Sequence, residues 1–252
     1  MSHESPSNLT LGQRHHFLIR RLHSLLGLIP VGVFVIMHLT VNASIGVGAG
    51  KFQENVDKIH ALGPLLIPVE IVGIFLPLFF HALLGFQIWF SGQPNIGTYK
   101  YVANYRYTLQ RVTGGVAFFF ILFHVWQMHW LGNPFGGGVF DPHDAAATAA
   151  RGIQDSFWMI PASALYVVGV ISTVFHLANG IWTSLITWGL TVGQKSQRIS
   201  GYACTALGVV IGIAGLSSIY NFNRLDTSPT AVQRVEPDAG VTVEKPGSNR
   251  AG

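Results

Sequence analysis

Charged residues are scarce in this chain. Asp, Glu, Lys and Arg together make up 10% of its 252 residues, while 49% are hydrophobic. Soluble globular domains carry about 25% charged residues, so this composition is typical of a single integral membrane domain. The basic residues behind the formal net charge of +4 lie at the ends of apolar runs, which favours a role in membrane topology over nucleic-acid binding.

Cysteine is nearly absent. Cys204 is the one cysteine in the sequence, and it lies in an apolar stretch. A single cysteine excludes a disulfide framework, a thiolate metal cluster and a C-x-x-C-H motif for covalent cofactor attachment. Any prosthetic group must therefore be held without a thioether link.

Long apolar runs are what the sequence does contain. There are five, each near or above the roughly 20 residues that a helix needs to cross a bilayer, at Leu22 to Ser44, Leu65 to Phe90, Leu109 to Leu131, Phe157 to Trp188 and Ile199 to Tyr220. They predict an all-α membrane protein with five transmembrane helices. Four prolines fall inside these runs and are expected to kink helices: Pro30, Pro68, Pro77 and Pro161.

Three regions follow from this pattern. Residues 1–19 form a polar amino-terminal arm, residues 20–222 the five-helix domain, and residues 223–252 a tail with almost no large apolar residues, which we expect to be disordered. The connections at 91–108 and 191–198 are basic and lack acids, whereas those at 46–63 and 132–156 carry acids. The positive-inside rule therefore places the amino terminus in the cytoplasm and the tail outside.

One histidine lies inside each of the first four runs. An imidazole is costly in a bilayer unless it has a function. A lone intramembrane histidine donates to a helix carbonyl or lines a proton path at least as often as it binds a metal. Four in four spans favour haem ligation, and no carboxylate or cysteine accompanies them at the spacing of a zinc site. These histidines are His38, His81, His124 and His176.

The direction of each span assigns a depth to its histidine. His38 follows His23 by fifteen residues, a rise of about 22 Å at 1.5 Å per residue, so it lies in the outer half of the membrane. The same reasoning places His124 in the outer half, and His81 and His176 in the inner half. Two axial pairs result, His81 with His176 and His38 with His124, and they predict two non-covalent b haems.

Other residues are candidates for haem contacts at the inner pair. Gly85 and Gly180 follow His81 and His176 at i+4, and a missing side chain on that face leaves room for a flat macrocycle. Three basic residues at the inner ends of spans I and III suit the anionic haem propionates or, equally, simple positive-inside anchoring: Arg21, His23 and Arg111. Taken singly, His23, His129, His15, His16, His60 and His143 read as interfacial or solvated side chains.

At these residues the sequence resembles the single-chain, five-helix, diheme cytochrome b anchors of succinate:quinone oxidoreductases. The matching stretches cover the chain in order from about Arg20 to Tyr220. They are RRLHSLLGLIPVGVFVIMHLTVN, FLPLFFHALLG, LQRVTGG, FHVW, VISTVFHLANGIW, WGLTV and SQRIS. The long polar tail departs from the family pattern.

The resemblance implies a function. The four histidines would be the axial ligands of two b haems, the inner haem held from spans II and IV and the outer from spans I and III. A flavoprotein subunit with FAD would oxidise succinate, an iron–sulfur subunit would relay electrons to the inner side of the anchor, and the anchor would pass them to quinone in the bacterial cytoplasmic membrane. The resemblance favours menaquinone.

Quinone reduction also needs protons, and Glu70 and Glu54 are acids at or before the outer end of span II. Glu70 lies within an apolar run, where an acid is often functional, although an ion pair with Lys51 or Lys58 is the plainer interpretation. Two further functions stay open at this point. One is the anchor of a quinol:fumarate reductase working in the opposite direction, and the other is a transporter that uses its histidines as relays.

Overall fold

Five long apolar helices form the body of the computed structural model, which describes residues 15–92, 97, 98 and 100–228. Each is long and apolar enough to cross a membrane, and the predicted all-α membrane fold is confirmed. The spans are I (Phe17–Gly46), II (Gly63–Phe90), III (Val102–Met128), IV (Ala162–Thr187) and V (Gln194–Arg224). Residues 1–14 of the predicted arm at 1–19 and residues 229–252 of the predicted tail at 223–252 lie outside the described residues.

The elements follow one another in a simple order. Up to residue 90 they are α1 (His16–Leu26), a π-helical turn (Gly27–Gly32), α2 (Val33–Ala43), a 3₁₀ turn (Ser44–Gly46), α3 (Ala49–His60), a 3₁₀ turn (Gly63–Leu65), α4 (Leu66–Glu70), a π-helical turn (Ile71–Phe75) and α5 (Leu76–Phe90). Then come α6 (Val102–Met128), 3₁₀ turns (Trp130–Phe135 and Pro142–Asp144), α7 (Ala145–Gln154), β1 (Ser156–Phe157), β2 (Ile160–Pro161), α8 (Ala162–Thr187) and α9 (Gln194–Arg224).

Prolines shape spans I and II. Pro30 lies inside the first π-helical turn, and Pro68 lies in α4 just before the second. Proline lacks an amide hydrogen and clashes with the preceding turn, and a locally widened turn is one way to accommodate it. The prediction for Pro161 was wrong, because this residue is the N-cap of α8. Span IV begins later than expected, since Ser156 and Phe157 pair with Pro161 and Ile160 in a short antiparallel hairpin.

Two short helices outside the spans cover one end of the bundle. α7 is rich in alanine, and Ala145 and Ala150 are fully buried. The Gln53 side chain of α3 accepts a hydrogen bond from the Ala145 amide at 2.9 Å and donates to the Pro142 carbonyl at 2.6 Å. The ring of Phe52, also in α3, packs edge-on against Phe222 of span V. We call this end, defined by α3 and α7, the capped end.

The opposite end is where span I begins. Spans II and IV finish there, and spans III and V start there. Arginines cluster at this end, at Arg20, Arg21, Arg106 and Arg111. We call it the basic end. Within the bundle, spans IV and V approach closely at Gly208, because glycine has no side chain there. A Cβ at this position would lie 2.9 Å from the Ala178 Cβ, and such small-residue contacts are typical of membrane helices.

Candidate functional site

His81 and His176 lie next to each other in the half of the bundle nearer the basic end. Their ring centroids are 6.0 Å apart and their planes are nearly perpendicular, at 83°. His81 Nδ1 donates to the His23 carbonyl at 2.9 Å, and His176 Nδ1 donates to the Gln110 carbonyl at 3.0 Å. A carbonyl only accepts, so both Nδ1 atoms carry the hydrogen and both Nε2 atoms keep the lone pair that binds a metal.

His23 completes a clasp with His81. Its Nδ1 donates to the His81 carbonyl at 2.9 Å, which mirrors the bond in the other direction. The two rings stack with centroids 4.0 Å apart. The interpretation of His23 as an interfacial side chain was wrong, because its ring packs inside the bundle between spans I and II.

Two glycines make the clasp possible. A Cβ at Gly27 would lie 2.2 Å from His81 Cε1, and a Cβ at Gly85 would lie 3.0 Å from His23 Cε1. Each histidine ring therefore sits over the glycine of the neighbouring helix. The space predicted at Gly85 is therefore next to His23. A Cβ at Gly180 would instead lie 3.4 Å from Gln110 Nε2.

A cavity of about 660 Å³ opens beside this pair. Its walls are mostly apolar, with a few polar groups that include His23, His81, His176, Arg111 and Gln110. Both the size and the lining are typical of cofactor sites, which measure about 300–1,000 Å³. A Cβ at Gly114 would lie 2.7 Å from His176 Cε1, so the absence of a side chain at Gly114 leaves room for the His176 ring.

His38 and His124 form a second pair nearer the capped end. Their ring centroids are 5.7 Å apart, at 69°. His124 Nδ1 lies 3.1 Å from the Tyr166 hydroxyl, which donates to Gln127 Oε1 at 2.9 Å. The lining of the large cavity does not include His38 or His124, so the case for a second group here depends on the ring pair and its hydrogen bonds.

Both spacings suit a metal held between two imidazoles. An imidazole nitrogen binds a first-row metal ion at about 2.0–2.1 Å, so rings on opposite sides of one ion have centres roughly 6 Å apart. Among the described residues, no group of three or more His, Cys, Asp and Glu side chains is placed to hold a metal ion. The two imidazole pairs are therefore candidate ligand sets of two side chains each.

The sequence of the chain was compared with those of known proteins and protein families. No family model matches the chain. The chain is 39% identical over 213 residues to the succinate dehydrogenase cytochrome b558 subunit of Bacillus subtilis (strain 168), a match that covers 82% of this chain and 96% of that protein. The chain belongs to the succinate dehydrogenase cytochrome b subunit family. The predicted family is confirmed.

The arginines of this family member differ in their surroundings. Arg111 lines the cavity, its guanidinium stacks 3.6 Å from the Tyr107 ring, and its buried Nε has no hydrogen-bond partner among the described residues. Arg21 Nε is also buried and unpartnered, but Arg21 lies between Phe17 and Trp188 and does not line the cavity. An anionic group in the cavity would satisfy the donor on Arg111.

Sequence reasoning missed a polar network beside His176. Arg106 Nε donates to Asn179 Oδ1 at 2.8 Å, and Asn179 Nδ2 donates to Gln110 Oε1 at 2.7 Å. Gln110 Nε2 in turn donates to the His176 carbonyl at 3.0 Å. The network holds spans III and IV together around this histidine. The positions of Asn179 and Gln110 within apolar runs were the signal that could have revealed it.

Glu70 and Glu54, the two acids proposed for proton transfer, lie in different environments. Glu70 accepts from Trp130 Nε1 at 3.4 Å, and its Oε2 lies 3.5 Å from His129 Nε2. Burial lowers the pKa of His129, while Glu70 acts in the opposite direction. It is Glu54, on the exposed face of α3, that pairs with Lys51 and Lys58, whose hydrogen bonds lower its pKa to about 2.

Proposed function

We propose that this chain is the membrane anchor and electron-transfer subunit of a succinate:quinone oxidoreductase, and that it holds two b haems. The observation that carries the proposal is the presence of two imidazole pairs with ring centroids 6.0 and 5.7 Å apart. The name of the Bacillus subtilis relative, a cytochrome b subunit of succinate dehydrogenase, supports both the cofactor and the complex. The five membrane helices support the role of anchor.

At the basic end, His81 and His176 would be the axial ligands of the first haem. The hydrogen bonds from their Nδ1 atoms hold both rings in the tautomer that a metal requires. Arg111, which lines the same cavity, has a buried Nε donor with no partner in the described part of the chain, as expected of a partner for a propionate. His23 is then a positioning residue of the cavity wall, Arg21 packs between Phe17 and Trp188 outside that wall, and Gly180 leaves space on the His176 helix.

At the capped end, His38 and His124 would be the ligands of the second haem. A haem held by these two histidines would supply one-electron transfer. The chain's own contribution is therefore to hold the ligand rings, exclude water with α3 and α7, and move protons at the quinone. Glu70, with His129 beside it, is our proposed proton donor, because it lies at the capped end in a half-buried setting.

Orientation follows from charge. We propose that the basic end faces the bacterial cytoplasm, because arginines cluster there and the positive-inside rule favours them on that side. The iron–sulfur subunit, and the flavoprotein with FAD beyond it, would dock there, and quinone would react near the capped end. Each electron that crosses the membrane then costs or gains about 2.3 kcal/mol per 100 mV. This coupling matters most for menaquinone, whose low potential makes its reduction by succinate uphill.

The test is to purify the complete complex and measure haem per chain by pyridine haemochrome, followed by a potentiometric titration. We expect two b haems with different midpoint potentials. A complex with one haem would contradict the assignment of one of the pairs. Absence of a haem spectrum from a complex that keeps its FAD and iron–sulfur centres would contradict the proposal and favour a histidine relay.

A further inference from the structure

A buried chain of hydrogen bonds leads from α7 of the cap to His124. The Gly152 carbonyl of α7 accepts from Gln127 Nε2 at 2.9 Å. Gln127 Oε1 accepts from the Tyr166 hydroxyl at 2.9 Å, and the Tyr166 oxygen lies 3.1 Å from His124 Nδ1. Gln127 is only 6% exposed and Tyr166 only 5%. Buried polar groups of this kind are costly unless every member is satisfied.

The Gly152 carbonyl determines which atom donates and which accepts in each of these hydrogen bonds. A carbonyl oxygen cannot donate, so the atom of Gln127 that faces Gly152 is the amide nitrogen. Gln127 Oε1 must then face Tyr166, and it can only accept. The single hydrogen of the tyrosine hydroxyl is therefore committed to Gln127. The Tyr166 oxygen presents only lone pairs to His124, so His124 Nδ1 must carry a hydrogen.

We propose that Tyr166 and Gln127 are positioning residues that hold His124 as its Nδ1–H tautomer, and that they set the reduction potential of the haem at the capped end. This inference rests on the proposed function, since it requires His124 to bind haem iron through Nε2. A hydrogen bond from Nδ1 makes an imidazole a stronger donor to its metal. Stronger donation favours the ferric state and lowers the potential.

The two residues have different tasks. Tyr166 is the acceptor that His124 needs. Gln127 prevents the tyrosine hydroxyl from turning its hydrogen toward His124 Nδ1, a rotation that would favour the opposite tautomer and place a hydrogen on Nε2. Without Gln127, His124 would favour the tautomer with its hydrogen on Nε2, and iron could bind only after that hydrogen had moved to Nδ1.

The test uses the purified complex, with haem content, midpoint potentials and the low-spin EPR signals of the two haems as readouts. In Tyr166→Phe we expect both haems to remain, with the capped-end potential shifted upward and its EPR signal altered. In Gln127→Leu we expect haem retention at this pair to weaken by about 10- to 100-fold, the usual range for loss of a partner that orients a metal ligand. Gln127→Glu should restore retention, because a carboxyl group still accepts from Tyr166.

Tyr202→Phe is the control, since this tyrosine lies on the surface of span V at 71% exposure. It should change none of the readouts. Unchanged potential and EPR signals in Tyr166→Phe would overturn the inference while two haems per chain left the proposed function intact. Equal haem loss in Gln127→Leu and Gln127→Glu would also overturn it, because packing rather than hydrogen-bond direction would then be responsible. A wild-type complex that lacks the capped-end haem would instead contradict the proposed function.

Discussion

At the basic end, the Nδ1 atoms of His81 and His176 donate to backbone carbonyls, whereas at the capped end the Nδ1 atom of His124 donates to a tyrosine side chain. A backbone acceptor is present whatever the side chain, so a substitution alters it only by moving a helix. A side-chain acceptor is removed by a single substitution. The two proposed ligand pairs therefore share a similar spacing but differ in how readily a substitution alters their hydrogen bonds.

The largest expected effect comes from removing the ligands themselves. His81→Ala and His176→Ala should each abolish the basic-end haem and leave most of the capped-end haem, while His38→Ala and His124→Ala should do the reverse. The reason is that, in the proposed assignment, two imidazoles hold each haem. Potentiometric titration and EPR of the purified complexes distinguish the two signals. Loss of the capped-end haem alone in His81→Ala would show that the pairs are wrongly assigned.

A smaller effect is expected from filling the space beneath His81. In Gly27→Ala, the new Cβ would lie 2.2 Å from His81 Cε1, so the ring must move and the clasp with His23 must open. We expect substantial loss of the basic-end haem by spectrophotometry, with the capped-end haem retained. Gly73→Ala is the matched control in span II, because a Cβ there meets no atom within 4 Å, and alanine gains about 1 kcal/mol of helix propensity. Equal haem loss in both variants would refute the role of the clasp.

The smallest of the three effects spares both haems and concerns only the capped end. Glu70→Gln should lower quinone reduction by about 100-fold, the lower range for loss of a general acid or base, with unchanged haem spectra. Because Glu70 raises the pKa of His129 against the effect of burial, its loss should also shift the pH profile of turnover to lower pH. Glu54→Gln should have a smaller effect, since Glu54 is exposed and already paired with two lysines. Similar losses in both variants would contradict the assignment to Glu70.

The spans were predictable because length and apolar composition determine them. The histidine pairs could be proposed because chain direction alone assigns depth. The clasp was missed, although its signal is present in the sequence as His-x-x-x-Gly in HSLLG, HALLG and HLANG, at residues 23–27, 81–85 and 176–180. The repeat at 23–27 lies near the end of span I, where a basic residue is usually explained as a membrane-interface anchor. The structure shows that this part of span I packs against span II.

The cap could not be predicted in the same way. The connections at 46–63 and 132–156 were distinguished in the sequence only by their acids, yet they contain α3 and α7. Helices this short are stable mainly through tertiary packing, which a sequence pattern does not display. The hydrogen-bond chain from Gly152 to His124 was hidden for the same reason, because its members come from α7 and from spans III and IV.

Gln154, the last residue of α7, hydrogen-bonds to the carboxyl-terminal end of span V. Its Nε2 donates to the Leu225 carbonyl at 2.8 Å and to the Phe222 carbonyl at 3.0 Å, which also accepts from the Leu225 amide. Residues 225–228, the last that the structure describes, are therefore held beside the capped end. A fluorophore attached at Ser228 would be held at the face opposite the arginines, where it would leave the surface that we assign to the hydrophilic subunits free for assembly.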